Sequence, residues 1–311
     1  MMDMYNVTDV KALVEELMGR EVEIKSIGNH ALLKNAVYRV DYGQKKVIFK
    51  LYRKKNRCNR EVATLKLLEN AKTISPVLLD KGTVDDEIEW IFISYLPGVP
   101  FQKVRDQLEE ADCLALMKQI GKSLRYIHDA VHFDYFGEWA CKQNNFSKNM
   151  DFKSAFKEKF DVYAQRLAPQ NDFEANLFER GIEYVENHMA ILSQVGLAYI
   201  CHNDFDSRNI LVKKIDNHWQ VSGIIDFEHS YPWDAEADLV GLYMEGLRDN
   251  PAWEKAFFEG YASERYREEA FQSKMDFYLV ARSLEVCSWA SNHEPNYFDR
   301  GLQWLEKLLN Q

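Results

Sequence analysis

Alternating hydrophobic and polar positions dominate the first 95 or so residues and predict a small antiparallel sheet. Five segments show this alternation: EVEIKSIG (21–28), AVYRVDYG (36–43), KKVIFKLYR (45–53), PVLLDKGTV (76–84) and EIEWIFISYL (87–96). Two segments instead repeat apolar residues every three or four positions and predict helices: TDVKALVEELMG (8–19) and NREVATLKLLENA (59–71). After the first helix, the predicted order is therefore strand, strand, strand, helix, strand, strand.

The pattern changes at LPGVP, where proline and glycine break the last of these strands. Helical periodicity dominates the remainder, except around NILVKK (209–214) and WQVSGIIDF (219–227), which predict two short strands. The whole pattern predicts an α+β protein with a β-rich lobe over residues 1–95 and a larger, mainly helical lobe over residues 96–311. Ligands commonly bind in the cleft between two such lobes.

Composition narrows the class of protein. The 311 residues are 46% hydrophobic and carry a net charge of −10, which disfavours general nucleic-acid binding. The charge is uneven, at +2 over residues 1–95 and −12 beyond, which fits either a solvated acidic surface or attraction of a cationic small molecule. Five scattered cysteines, no apolar signal core and no bilayer-length apolar segment predict a cytoplasmic protein without a membrane partner. Nothing in the sequence predicts a protein partner.

A polar cluster interrupts the apolar pattern in YICHNDFDSRNILV (199–212). His202, Asp204 and Asn209 within it form the spacing H-x-D-x-x-x-x-N. Asn, Asp and Ser also favour ordinary surface turns, so this spacing alone leaves two interpretations open. One is a solvated turn, and the other is a rigid loop that directs carboxylates at a ligand.

A second carboxylate follows the next predicted strand. Asp226 ends that strand in SGIIDFEHS, 17 residues after Asn209. A tight hairpin would bring the two side chains together, and their oxygens suit Mg²⁺, which prefers a few protein oxygens plus substrate phosphates. The alternative is that Asp226 only forms the turn at the strand end.

Lys50 and Glu61 supply a third clue. In KVIFKLY, Lys50 lies on the opposite face from Val47, Phe49 and Leu51. Glu61 lies on the apolar face of the next predicted helix, where a carboxylate needs a cation. Lys50 is a suitable partner, although an edge lysine and an acidic helix start are the alternatives.

These pieces together resemble the aminoglycoside phosphotransferase and choline kinase family of eukaryotic-like kinases. The matching segments are VIFK, NREVATLKLL, IFISYLPG, HNDFDSRNILV and GIIDFE, which occur in the family's order. The resemblance implies a bilobal, protein-kinase-like fold with an inter-lobe hinge at about residues 94–100. It also implies transfer of the γ-phosphate of ATP, or of GTP, to a hydroxyl of a small molecule.

The resemblance assigns roles by position. It implies that Asp204 is the catalytic base, that Asn209 and Asp226 are Mg²⁺ ligands, and that Lys50 holds the nucleotide phosphates while Glu61 orients it. His202 and Asp238 would support the catalytic loop.

Further roles concern the nucleotide. The backbone C=O of Ser94 and N–H of Leu96 would contact the adenine edge. Gly28 is the one glycine where protein kinases have G-x-G-x-x-G, so other donors such as Asn29 or His30 would help to cover the phosphates.

The acceptor is less defined by the sequence. Glu228 replaces the glycine of D-F-G, and no activation segment follows, which disfavours a protein substrate. Four acidic residues could form a rim for a cationic acceptor or merely belong to a solvated acidic surface: Asp206, Glu228, Asp234 and Glu236. An aminoglycoside is the leading acceptor, with choline, another amino-alcohol or a sugar as alternatives. A nucleotide-binding pseudokinase or scaffold is the alternative of another class, disfavoured because the catalytic residues are intact.

Overall fold

The computed structural model describes residues 4, 6–28, 35–54, 56–84, 88–139, 151–290 and 294–310. The chain forms two compact units, one from Met1–Asp106 with Arg208–Ser230 and one from Gln107–Ser207 with Tyr231–Gln311. Residues 208–230 therefore pack with the first part of the chain, although they follow most of the second unit in sequence. The functional division at about residue 95 stays a prediction.

The first unit contains a five-stranded antiparallel sheet and two helices. The strands are β1 (Glu23–Ile27), β2 (Asn35–Tyr42), β3 (Lys45–Tyr52), β4 (Leu78–Val84) and β5 (Ile88–Ser94), and the helices are α1 (Val7–Met18) and α2 (Arg57–Leu68). The spatial order is β1-β2-β3-β5-β4. The predicted sequence of strands and helices in this region is confirmed.

The two faces of β3 have different partners, as its alternation predicts. Val47, Phe49 and Leu51 are buried in one cluster with Val10 and Val14 of α1. The intervening side chain of Lys50 faces the other way because successive residues of a strand point to opposite faces. The hydrophobic face thus anchors the strand, and the opposite face carries Lys50.

A second, three-stranded sheet completes the first unit. Its strands are β6 (Val99–Pro100), β9 (Ile210–Ile215) and β10 (His218–Ile224), in the order β10-β9-β6. Asp216 and Asn217 connect β9 to β10 with φ values of 46° and 67°. Positive φ at both central residues is typical of the tight turns that match strand twist, so the predicted hairpin is confirmed.

The second unit is mainly helical. Its helices are α3 (Glu110–His128), α4 (Phe152–Ala164), α5 (Asp172–His188), α6 (Val240–Leu242), α7 (Pro251–Tyr261), α8 (Glu269–Ala290) and α9 (Pro295–Leu309). A small sheet in the order β11-β8-β7 is formed by β7 (His132–Phe133), β8 (Ala198–Cys201) and β11 (Tyr231–Trp233). A π-helical turn, Tyr243–Leu247, follows α6. Among the described helices, none has the length and apolarity needed to cross a membrane.

Helices α3 and α7 approach each other closely because each has a glycine at the crossing. A Cβ atom on Gly121 would lie 2.0 Å from the backbone oxygen of Phe257, and one on Gly260 would lie 1.8 Å from that of Lys118. Even a methyl group at either position would force the two helix backbones apart.

We expect Gly260→Ala to lower the free energy of unfolding by about 1–3 kcal/mol, because overpacking displaces a rigid backbone. Gly196→Ala is the matched control, since no atom lies within 4 Å of its added Cβ. Thermal and denaturant unfolding followed by circular dichroism would measure both variants. Equal losses in the two would show that the α3–α7 crossing tolerates the methyl group.

Candidate active site

The first unit brings together a buried lysine and two carboxylates from distant parts of the chain. Lys50 Nζ lies 2.5 Å from Glu61 Oε2 and 2.8 Å from Asp226 Oδ1. Lys50 is 4% exposed and Glu61 is fully buried. The predicted pairing of Lys50 with Glu61 is thus present, and Asp226 joins it although 176 residues separate it from Lys50.

Local structure explains why these side chains meet. Lys50 points away from the α1 side of β3, and Glu61 shares a buried helical face with Leu65 and Leu68. The hydroxyl of Tyr52 also donates to Glu61 Oε2. Burial alone lowers the pKa of Lys50, but the negative charges of Asp226, Glu61 and Glu228 outweigh it and raise that pKa. The lysine therefore stays charged at neutral pH.

The β9–β10 hairpin brings Asn209 beside the segment that carries Asp226. The N–H of Ile225 donates to the backbone oxygen of Asn209 at 3.0 Å. Asp226 itself has φ 71° and ψ 58°, a left-handed conformation that is uncommon outside glycine. Such strained residues cluster at functional sites. The expected proximity of Asn209 and Asp226 is thus found within one unit.

Glu228 has partners that the sequence analysis did not anticipate. Arg57 Nη1 donates to Glu228 Oε1, and Asn35 Nδ2 donates to Glu228 Oε2. Burial and the nearby charge of Asp226 raise the pKa of Glu228, while Lys50 and Arg57 oppose that shift. Arg57 lies four residues before Glu61 on α2, so its position on the same helical face was the available signal. Asn35 gave no such signal.

The candidate catalytic loop around Asp204 lies in the second unit, and its backbone is hydrogen-bonded to the buried carboxylate of Asp238. Asp238 Oδ2 accepts the N–H of His202 at 2.6 Å, and Asp238 Oδ1 accepts that of Asn203 at 2.5 Å. His128 Nε2 lies 3.1 Å from Asp238 Oδ2. Asp238 therefore supports the loop backbone, as the resemblance implied.

Further contacts hold the rest of the loop. The N–H of Asp204 donates to His202 Nδ1 at 3.3 Å, so His202 braces the loop with an unprotonated Nδ1. The N–H of Ser207 donates to Glu245 Oε2 at 3.0 Å, and Glu245 belongs to the π-helical turn. Gly241 lets α6 approach the loop, since a Cβ there would lie 2.4 Å from the oxygen of Phe205. The contacts with His202, with Glu245 and with helix α6 thus hold the loop between Cys201 and Ser207 in place.

An arginine from α8 contacts the candidate base. Arg282 Nη2 lies 3.4 Å from Asp204 Oδ1, and Arg282 Nη1 lies 2.8 Å from Glu285 Oε2. Sequence reasoning missed both residues of α8. The sequence did carry a signal for them, because Arg282 and Glu285 are oppositely charged, lie three residues apart and belong to a helix with buried residues on nearly all sides.

The four acidic residues proposed as an acceptor rim do not share one environment. Asp234 accepts from Lys274 Nζ at 2.8 Å and from the Tyr278 hydroxyl, and Glu236 pairs with Lys274 and with Arg265. Glu228 lies in the other unit, and Asp206 is 7% exposed. Three of the four therefore already have cations of this chain as partners, and their role as acceptor ligands stays a prediction.

The residues expected at the nucleotide base lie at the end of β5. The N–H of Ser94 donates to the oxygen of Val77 at 2.9 Å, which ties the strand end to the preceding loop. Leu96 packs against Gly223 of β10. Gly28 follows β1 with φ 81°, and the expected donors Asn29 and His30 lie outside the described residues.

Comparison with known proteins agrees with this arrangement. The profile of a family described as "Phosphotransferase enzyme family" matches residues 29–271. No curated protein gives a match.

Solved structures similar to this chain include three phosphotransferases. A thermostable mutant of aminoglycoside phosphotransferase APH(4)-Ia, in ternary complex with AMP-PNP and hygromycin B, has a TM-score of 0.73 at 14% identity, covering 97% of this chain and 98% of that one. The GDP complex of aminoglycoside 2'-phosphotransferase-IIIa has 0.71 at 13%, covering 98% and 99%. Spectinomycin phosphotransferase APH(9)-Ia, with ADP and spectinomycin, has 0.61 at 17%, covering 96% of each.

At such identities the structural likeness shows the fold alone. That fold is the α+β, protein-kinase-like fold of phosphotransferases, and the predicted fold class is confirmed. Because the family profile spans most of the chain, the protein belongs to the phosphotransferase enzyme family.

We expect Asp238→Asn to lower the free energy of unfolding by about 1–3 kcal/mol, since an amide group would face one of the two N–H donors and leave it unsatisfied. Amide hydrogen exchange at His202 and Asn203 should become faster. Asp249→Asn is the control, because Asp249 pairs with Lys307 at the surface with its side chain 59% exposed. If the loop amides exchange at the wild-type rate, Asp238 does not hold the loop.

Proposed function

We propose that this protein transfers the γ-phosphoryl group of ATP or GTP to a hydroxyl of a small acceptor molecule. The observation that carries this proposal is the contact of buried Lys50 with both Glu61 and Asp226. Burying an ion pair stabilises a protein little, because desolvation offsets the attraction. The arrangement is instead suited to binding an anionic ligand through Lys50, and a nucleoside triphosphate is such a ligand.

Lys50 would bind phosphate oxygens of the nucleotide, and Glu61 would orient the ammonium group of Lys50 toward them. Lys50 contacts Asp226 in the present structure, so ligand binding would exchange part of that contact for phosphate. Ser94 and Leu96 would bind the adenine or guanine edge through backbone groups, and Gly28 would lie at the phosphate cover. Backbone groups can bind the edge of either base, so the proposal includes both ATP and GTP.

The donor set suits a magnesium ion. Asp226 offers carboxylate oxygens and Asn209 an amide oxygen, the hard ligands that Mg²⁺ prefers. The backbone bond from Ile225 to Asn209 keeps the two segments adjacent. When bound, Mg²⁺ would neutralise charge on the phosphates. Asp226 and Asn209 are the residues that would hold it.

Asp204 would orient the acceptor hydroxyl and accept its proton. The hydroxyl oxygen forms the new bond to the γ-phosphorus, the bond to the leaving oxygen breaks, and the nucleoside diphosphate departs. Because positioning and charge neutralisation account for most of the catalysis in phosphoryl transfer, the support of the loop by Asp238 and His202 would contribute to the rate by positioning Asp204.

For the acceptor, we propose a small and cationic molecule of the aminoglycoside type. The net charge of −10 and the molecules present in two similar structures, hygromycin B and spectinomycin, favour it. Choline, another amino-alcohol or a sugar is the second candidate. Glu228, Asp234 and Glu236 would each have to exchange a cation of this chain for the acceptor's ammonium group. A cytoplasmic location fits such a substrate.

We expect ATP-dependent phosphorylation of at least one compound in a panel of aminoglycosides, amino-alcohols and sugars, measured by mass spectrometry and ADP release. Asp204→Asn should abolish turnover and leave nucleotide affinity nearly unchanged, since Asp204 acts mainly in the transition state. Asp249→Asn serves as the surface control. If the protein binds nucleotide but phosphorylates no compound, and if Asp204→Asn leaves the release of ADP unchanged, the protein would instead be a nucleotide-binding scaffold.

Asp226→Asn should weaken nucleotide binding only when Mg²⁺ is present, because the lost carboxylate would be a ligand of the metal ion. Calorimetric titration of ADP with and without Mg²⁺ measures the difference. The same change in both titrations would remove Asp226 from the metal site.

A further inference from the structure

Arg282 in α8 contacts the Asp204 carboxylate of the loop that follows β8. Its guanidinium reaches Asp204 Oδ1 at 3.4 Å with one nitrogen and Glu285 Oε2 at 2.8 Å with another. All three side chains are only partly accessible, at 21% for Asp204, 31% for Arg282 and 20% for Glu285. The arginine thus bridges two carboxylates of the second unit.

Glu285 keeps the arginine in place. Burial raises the pKa of Glu285, but the charges of Arg282 and Lys159 and a hydrogen bond from Tyr163 outweigh it and lower that pKa. The negative charge of Glu285 likewise raises the pKa of Arg282. Both groups therefore stay charged at neutral pH, and the planar guanidinium fork has a fixed anchor on one side.

The candidate base is held both through the loop backbone and through its own carboxylate. Asp238 holds the backbone at His202 and Asn203, next to Asp204. Those bonds leave the side-chain torsions of Asp204 undetermined, whereas Arg282 contacts the carboxylate itself. A phosphoryl acceptor must be aligned to within a fraction of an ångström, so the direction of this carboxylate matters for the rate.

We propose that Arg282, anchored by Glu285, is a positioning residue that sets the direction of the Asp204 carboxylate toward the acceptor hydroxyl. This inference rests on the proposed kinase function. It differs from a purely structural ion pair between α8 and the loop, because a structural pair would affect stability and leave the turnover of the folded enzyme unchanged.

The test uses Mg²⁺ and ATP with water as the acceptor, followed by phosphate release, so that no acceptor need be known. Arg282→Ala should lower kcat by roughly 10- to 100-fold, the loss that misplacement of a reacting group produces. The KM for ATP should change less than about threefold, because Arg282 lies in the unit without Lys50, Asn209 and Asp226. Arg180→Ala is the matched control, since this half-buried arginine of α5 bonds the backbone oxygen of Leu309 and does not contact the loop.

Added guanidinium chloride, compared with sodium chloride at equal ionic strength, should restore part of the turnover of Arg282→Ala. No restoration should occur in Arg282→Ala/Asp204→Asn, because the guanidinium would have no carboxylate to direct. If Arg282→Ala fails to fold, Arg282→Lys keeps a cation without the two-pronged fork and should fold with a reduced kcat.

The inference is overturned if the folded Arg282 variants turn over at the wild-type rate, or if Arg180→Ala loses as much activity. It is equally overturned if guanidinium restores nothing. Failure of the kinase function looks different, because the wild-type protein and Asp204→Asn would then release phosphate equally slowly.

Discussion

The buried ion pair between Lys50 and Glu61, extended to Asp226, is the interaction on which the rest of the first unit depends. Charges this deeply buried cost free energy unless partners of opposite sign lie close by. Strand β3 and helix α2 must therefore stay together for the charges of Lys50 and Glu61 to be satisfied. Asp226, with its side chain 38% exposed, adds a contact between Lys50 and the segment Arg208–Ser230, which packs with the first part of the chain.

The second unit meets the same constraint with backbone groups. Asp238 is 2% exposed, and its two oxygens accept the N–H groups of His202 and Asn203. The Asp238 carboxylate is thus stabilised by hydrogen bonds from backbone N–H groups, whereas Glu61 is paired with a lysine. Asp238 therefore holds a loop backbone, and Glu61 holds a side chain. A buried carboxylate thus contacts a candidate functional group in each unit, Glu61 at Lys50 and Asp238 at the Asp204 loop.

Sequence reasoning succeeded where a periodic pattern or a burial conflict was strong. The long helices and the strands of the five-stranded sheet follow their hydrophobic spacing, and Glu61 required a cation because it lay on an apolar stripe. It failed for β6, β7, β8 and β11, which have two to four residues and are too short to show a period. Asn35 was missed as a partner of Glu228 because nothing in the local pattern predicts a contact across 193 residues, and Arg57 was missed although it shares a helical face with Glu61.

By itself the sequence determined the elements, the α+β class and the residue types that phosphoryl transfer needs, because hydrophobic period and the cost of buried charge act locally. Only the tertiary structure decided which charges are satisfied by which partners. Asp234 and Glu236 pair with Lys274, whereas Arg282 reaches Asp204, and these choices depend on helices that are distant in sequence. Coulomb attraction acts through space, so its partners are known only once the chain has folded.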